Sequence, residues 1–238
     1  MTVKRPHMVT RGYLQAWANN RNVLYLWDAE SGRTGPQSIN NATVHGHAYD
    51  TEHTTLDLEA EFGRIESDAL PAIRSLAQGG QPNDDGRAAV VRFLDMHLER
   101  GRYADQTSVT TPFAKLDVFN GGVEMAEMGL GDRLALSRDI DKDAVRLSNF
   151  DLLRWRWRVG MSAEGLLLTG DGAVLLFERT KGTGVATITF PLSPTRLLVL
   201  GADLPPAPLR DLNAFTIAKS RRWLVDRADG VFARQMPQ

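Results

Sequence analysis

His45, His47, Asp50 and His53 are the densest group of potential metal ligands in the chain, with three of its five histidines inside nine residues. A His-x-His pair on a strand sets both rings on one face, which suits zinc or iron. Gly46 favours a loop instead, where exposed histidines need no ligand. Asp171, Glu178 and Lys181 come near the pattern of a restriction-type nuclease, in which an acid and a following Glu-x-Lys hold a metal and polarise a water. Here Glu178 and Lys181 are three residues apart rather than two, which on a strand turns them to opposite faces. Arg154, Arg156 and Arg158 alternate with Trp155 and Trp157, so that arginines could clamp a nucleic-acid backbone while tryptophans stack on bases; the bland alternative is tryptophans in the core and arginines coating a face. His97 and Arg100 share a helix face, where they could orient a phosphate or carboxylate or simply make a structural hydrogen bond. No glycine-rich phosphate loop, nucleophile elbow or dinucleotide fingerprint is present.

The elements that must position these groups follow from periodicity. Val9–Ala18 reads as a short helix. Asn22–Asp28 and Arg33–Ile39 alternate as strands around the turn Ala29–Gly32, an N-terminal hairpin carrying Tyr25 and Trp27. Between Leu56 and Gln78, the residues Leu58, Phe62, Ile65, Ala69, Ile73 and Leu76 form one apolar stripe, with Pro71 expected to kink or split the helix. Asn83 and Asp84 cap a second helix, about 85–103, that brings Ala89, Phe93, Met96, His97 and Arg100 to one side. Residues 104–120 read as a loop and Val123–Met128 as a short helix. Strands follow at Leu152–Val159, Leu166–Thr169, Val174–Glu178, Val185–Phe190 and Arg196–Leu200, then a helix at Leu209–Ser220 and a last strand at Trp223–Asp226. Runs of helices followed by runs of strands predict an α+β fold, with a C-terminal mixed or antiparallel sheet and a covering helix. The 238 residues are expected to form a single compact domain, with a helical sub-domain at 55–150 as a variant of that reading.

Composition narrows the function classes. The chain has no cysteine, which excludes disulfides, thiolate nucleophiles and cysteine-based metal sites. No apolar stretch follows Lys4 and Arg5, and no run approaches membrane-spanning length, so the expectation is a cytoplasmic chain without a signal peptide or membrane association. Lys and Arg number 16 against 21 Asp and Glu in residues 1–150, and 12 against 8 in residues 151–238. The basic second part could face phosphates.

His7-Met8-Val9-Thr10-Arg11-Gly12-Tyr13-Leu14-Gln15-Ala16-Trp17 resembles the opening of a bacterial family of unknown function, DUF4238, whose members start His-His-x-Val-Pro-x-x-Tyr-Leu-x-x-Phe. Leu24–Asp28 with Ser31-Gly32, Ala48–Glu52, Ile65-Glu66, Phe93–Arg100, Leu168–Ala173, Phe190–Pro194, and Asn213 with Arg221 resemble later family motifs in the same order. The chain departs from the pattern at Pro6, in place of the first histidine, and at Thr10, in place of the proline. Gly170-Asp171-Gly172-Ala173 stands where the family has Ser-Asp-Asn-Pro. The resemblance implies no activity, but it picks out His7, Tyr13, Arg100, Asp171, Ser193 and Asn213 as candidate site positions.

Three readings follow. In the first, the protein is a nucleic-acid-directed, RNase-like toxin or defence-associated enzyme. His7 would be the general acid/base, Arg100 would hold phosphate and Asp171 would orient it or bind a metal. Tyr13, Ser193, Asn213, Arg154 and Arg156 would contact substrate. This reading requires His7, Arg100 and Asp171 to converge in one cleft. In the second, the protein is a non-enzymatic binding or sensing module that meets a protein or phage component through the Tyr25–Trp27 hairpin, and it predicts a solvent-facing apolar patch. In the third, it is a nucleotide-cofactor transferase with His7 and Tyr13 flanking the substrate. Metal, cofactor and oligomeric state are unknown from the sequence.

Overall fold

Two antiparallel helices lie at the centre. α2 (Leu58–Ala77) is capped by the Asp57 carboxylate, which accepts from the Ala60 amide, and it carries Glu59 and Glu61 in its first turn, where acids complement the helix dipole. Its apolar stripe is buried as the spacing predicts. Pro71 does not split it: burial of Ala69, Ala72 and Ile73 around the proline outweighs the roughly 3 kcal/mol that a proline costs a helix interior. α3 (Asp84–Arg102) starts at Asn83, whose side chain accepts from the Gly86 amide, and it buries Phe93, Met96, His97 and Arg100 against its surroundings. The structure, a computed structural model, describes residues 5–140, 146–162 and 167–230.

Two antiparallel four-stranded sheets flank these helices. The first runs β2 (Arg33–Ser38), β1 (Val23–Asp28), β10 (Trp223–Arg227), β6 (Thr169–Gly170). The expected N-terminal hairpin is therefore completed by β10, the last strand among the described residues, with Leu26 opposite Val225. The second sheet runs β5 (Trp157–Met161), β9 (Arg196–Gly201), β8 (Val185–Ser193), β7 (Leu175–Glu178). β9 is apolar on both faces because both are covered. Leu198 and Leu200 join the main core, while Leu197 and Val199 join a smaller cluster with Leu167, Leu175 and Leu212.

Several expectations are corrected. The segment read as a loop and a short helix is a hairpin, β3 (Thr111–Leu116) paired with β4 (Val123–Met128), followed by α4 (Leu130–Ile140). Val-Glu-Met-Ala-Glu-Met is rich in helix formers, but pairing with β3 decides its state. The strand expected from Leu152 begins only at Trp157, because Asp151–Arg154 forms a turn. α1 (Arg11–Leu14) is a single helical turn, and the C-terminal helix divides into α5 (Pro206–Arg210) and α6 (Leu212–Lys219). The expected strand at Leu166–Thr169 reduces to β6, and Leu166 lies outside the described residues.

Candidate functional site

Thr10, Glu66 and Arg100 meet where the N-terminal segment crosses α2 and α3, and His7 feels the charges of Glu66 and Arg100. Thr10 lacks a capping bond to α1. Instead its hydroxyl donates to Glu66 Oε1 at 2.8 Å, and Arg100 Nη1 donates to the same oxygen at 2.8 Å. The Arg100 guanidinium lies over the rings of Phe62 at 4.3 Å and Tyr49 at 5.0 Å. Its side chain is 4% exposed, against 25% for Glu66. His7 Nε2 donates to the Ile39 carbonyl at 3.2 Å. Burial lowers its pKa, with Arg11 and Arg100 acting in the same direction and Glu66 opposing them. Burial also pushes the Tyr49 hydroxyl up to about 12. His7 and Arg100 thus share one electrostatic neighbourhood, and Glu66, which the family motif Ile65-Glu66 holds but local chemistry does not mark, acts on both.

The Asp171 carboxylate is engaged elsewhere. It accepts from the amides of Arg221 at 3.1 Å, Arg222 at 2.8 Å and Trp223 at 3.4 Å, and so fixes the entry to β10. Burial raises its pKa to about 6, with these amides pulling the other way. Its backbone packs so closely on Gly101 that any Cβ there would collide with the Asp171 carbonyl. His97 Nε2 donates to the neighbouring Gly170 carbonyl at 2.8 Å, and burial lowers its pKa to about 4. Asp171 is therefore bonded to backbone, while Arg100 reaches His7 through its charge rather than by contact.

The remaining candidates are also occupied. The Tyr13 hydroxyl is buried and donates to the Pro191 carbonyl at 2.7 Å, so the Thr169 hydroxyl, 2.6 Å away, donates to it. Its ring stacks on Phe190 within a cluster that includes Trp17, Phe93 and His97. Ser193 accepts from the Thr195 amide, and Asn213 accepts from the Leu168 amide at 2.8 Å. Ser193 does line a cleft of about 670 Å³ with Trp17, Asn19, Arg227 and Asp229. Arg154 and Arg156 are exposed and sit beside Asp151 and Asp203. The histidine cluster disperses: His47, in left-handed backbone, turns to Asp50 at 2.7 Å, and His53 donates to the Glu127 carbonyl at 2.9 Å. Glu178 accepts from the Gly182 amide in its own turn. Among the described residues no group of three or more histidines and acids is placed to hold a metal. A second buried arginine, Arg222, is clamped by Asp28, Glu30 and Thr107 and lies 4.3 Å over the Trp223 ring.

The apolar side chains of the β3–β4 hairpin are placed in the opposite way. Thr111, Phe113, Ala126 and Met128 are half-buried and turn toward the body, where Phe113 meets His53 edge-on at 4.8 Å. The opposite face presents Pro112, Ala114 and Leu116 beside Val123, Met125 and Glu127, all exposed. Leu116 is 62%, Val123 67% and Met125 70% exposed, and the tip adds Val118 at 76% and Phe119 at 94%. The tip is a polar-framed turn, with Asp117 accepting from the Phe119 and Asn120 amides and Gly121 at φ +65°, a conformation that favours glycine. None of these residues was a sequence candidate. The alternation of 112–116 and the Asp117–Gly122 turn were the available signals. Tyr25 and Trp27 are half-buried, on a strand paired along both edges.

Fold and site together define an α+β protein whose chemically versatile side chains bind one another while an apolar hairpin stands clear of the core. Residues 5–117 match the model of a family described as a protein of unknown function, DUF4238, and over that span the chain resembles it. The matched span holds His7, Thr10, Glu66 and Arg100 and ends at the hairpin tip, so β4 and Asp171 lie outside it. No curated protein and no solved structure matches the chain. Among the described residues, no helix is long and apolar enough to cross a membrane.

Proposed function

We propose that the protein is a recognition module that captures a protein partner on the β3–β4 hairpin. The observation that carries this reading is the exposed outer face of Leu116, Val123 and Met125, continued by Val118 and Phe119 at the tip. Contiguous exposed apolar surface of this kind marks interaction sites. The class of partner follows from charge. Within residues 111–128 Lys115 stands against Asp117, Glu124 and Glu127, a net charge of −2. Nucleic acid and anionic lipid are repelled by that balance, whereas a protein surface with an apolar centre and basic rim complements it.

A photo-crosslinking residue placed at position 119 tests the reading in cells. The expected result is a discrete crosslinked protein that is absent when the same residue is placed at exposed Arg64 and is lost on adding Val118→Ser. No adduct at 119, or the same adducts at both positions, would overturn it. The nucleic-acid-directed enzyme draws on one observation, the shared neighbourhood of His7, Glu66 and Arg100. It is the weaker reading because Arg100 is buried and already paired. Cleavage of labelled RNA or DNA that is lost in His7→Ala would restore it.

A further inference from the structure

The ladder of the hairpin shows which of its backbone groups are unused. The Asp117 amide donates to the Gly122 carbonyl at 2.8 Å, so this pair closes the ladder as a hydrogen-bonded one. Bonded and non-bonded pairs alternate along an antiparallel ladder. From the register, Lys115–Glu124, Phe113–Ala126 and Thr111–Met128 are then bonded pairs, and Leu116–Val123, Ala114–Met125 and Pro112–Glu127 are not. Residues in non-bonded pairs turn their N–H and C=O groups outward, off the two edges. His53 bears this out, because its ring reaches the outward carbonyl of Glu127. On β4 the outward groups of Val123 and Met125 have no partner among the described residues, and the hairpin has no third strand.

Those backbone groups lie beside the exposed apolar side chains, and the charge is divided between the strands. β4 carries Glu124 and Glu127, whereas β3 carries Lys115. β3 also has Pro112 among its outward residues, which removes one donor from that edge. Resting on the reading above, we propose that the partner adds an extended strand to the free edge of β4. That strand would set apolar residues opposite Val123 and Met125 on the outer face and a basic residue opposite Glu124 on the inner one. Backbone hydrogen bonds would supply affinity, and the apolar–basic–apolar alternation would supply specificity.

Full-length protein titrated with a designed peptide alternating valine and lysine tests this, beside the same peptide with glutamate in place of lysine. The lysine peptide should bind and the glutamate peptide should not, and Glu124→Lys should reverse that preference. N-methylation of alternate peptide bonds separates the edge from the face. One alternating set should weaken binding about tenfold or more, the loss of a single well-made hydrogen bond to a buried partner, while the other set, pointing away from β4, should leave it unchanged. Equal binding by both N-methylated sets, preference for the glutamate peptide, or no binding by either peptide would overturn strand addition. If the crosslink at 119 persists in any of those cases, capture by the hairpin stands and only the edge mechanism fails. If the crosslink is absent too, both fail.

Discussion

The seam around α3 and the β3–β4 hairpin use their residues in opposite ways. Along the seam, His97, Arg100 and Asp171, residue types able to do chemistry, are spent on Gly170, Glu66 and the amides leading into β10. On the hairpin, Leu116, Met125 and Phe119, residue types able to build a core, are left in solvent. Residue type alone therefore misleads in both regions. An arginine that is 4% exposed and paired is architecture, and a phenylalanine that is 94% exposed belongs to the surface.

The sharpest way to break this contrast is at the seam. Arg100→Leu leaves the Glu66 carboxylate with the Thr10 hydroxyl but without its cation, and is expected to cost about 3 kcal/mol, toward the lower end for a broken buried pair because Glu66 is partly solvated. Urea unfolding reads this directly, and an unchanged midpoint would mean that Arg100 is held for something other than stability. Next comes pH. His97 is lowered to about 4, so between about 6.5 and 4 the unfolded chain binds the extra proton and stability falls as pH drops. Asp171 is raised to about 6, so between about 4 and 6 the folded chain holds the extra proton and stability falls as pH rises. The two trends oppose each other, each worth about 3 kcal/mol. Asp171→Asn should steepen the loss of stability on acidification from pH 6.5, and His97→Phe should reverse its sign between about pH 4 and 6, both followed by denaturant midpoints across that range. Tyr13→Phe strands the Thr169 hydroxyl and the Pro191 carbonyl and should cost about 1–3 kcal/mol, visible as a lower thermal midpoint. The smallest effect belongs to the hairpin. Phe119→Ser should change stability by no more than about 0.5 kcal/mol while abolishing partner capture, a separation that no seam substitution should show.

What could be read from the sequence follows the same line. The stripe of α2, the Asn83 cap, the strands β8 and β9 and the final strand β10 were legible because local periodicity and burial agree there. β4 was not, because glutamate, methionine and alanine favour a helix locally and only the facing strand settles the matter. The alternation of Trp155 and Trp157 overreached at its start, since the Asp151–Arg154 turn precedes β5. Family motifs single out His7 and Arg100, but nothing in the spacing shows that Glu66 would bond to Thr10, 56 residues away, and to Arg100, 34 residues away. Asp171 was singled out on the same grounds, and its three backbone amides come from a segment some 50 positions later, a pairing that no local pattern encodes.

The anchoring of the N-terminal turn also sets an order of assembly. Trp17 donates its indole N–H to the Leu167 carbonyl 150 residues on, and Tyr13 reaches Pro191 across 178. During synthesis this aromatic turn therefore emerges long before the strands that receive it. Closing loops of that length costs entropy before any contact repays it. Until those strands exist, Tyr13 and Trp17 can pack only on partners already made, such as Phe93 and His97 of α3, with their polar atoms still waiting for Leu167 and Pro191.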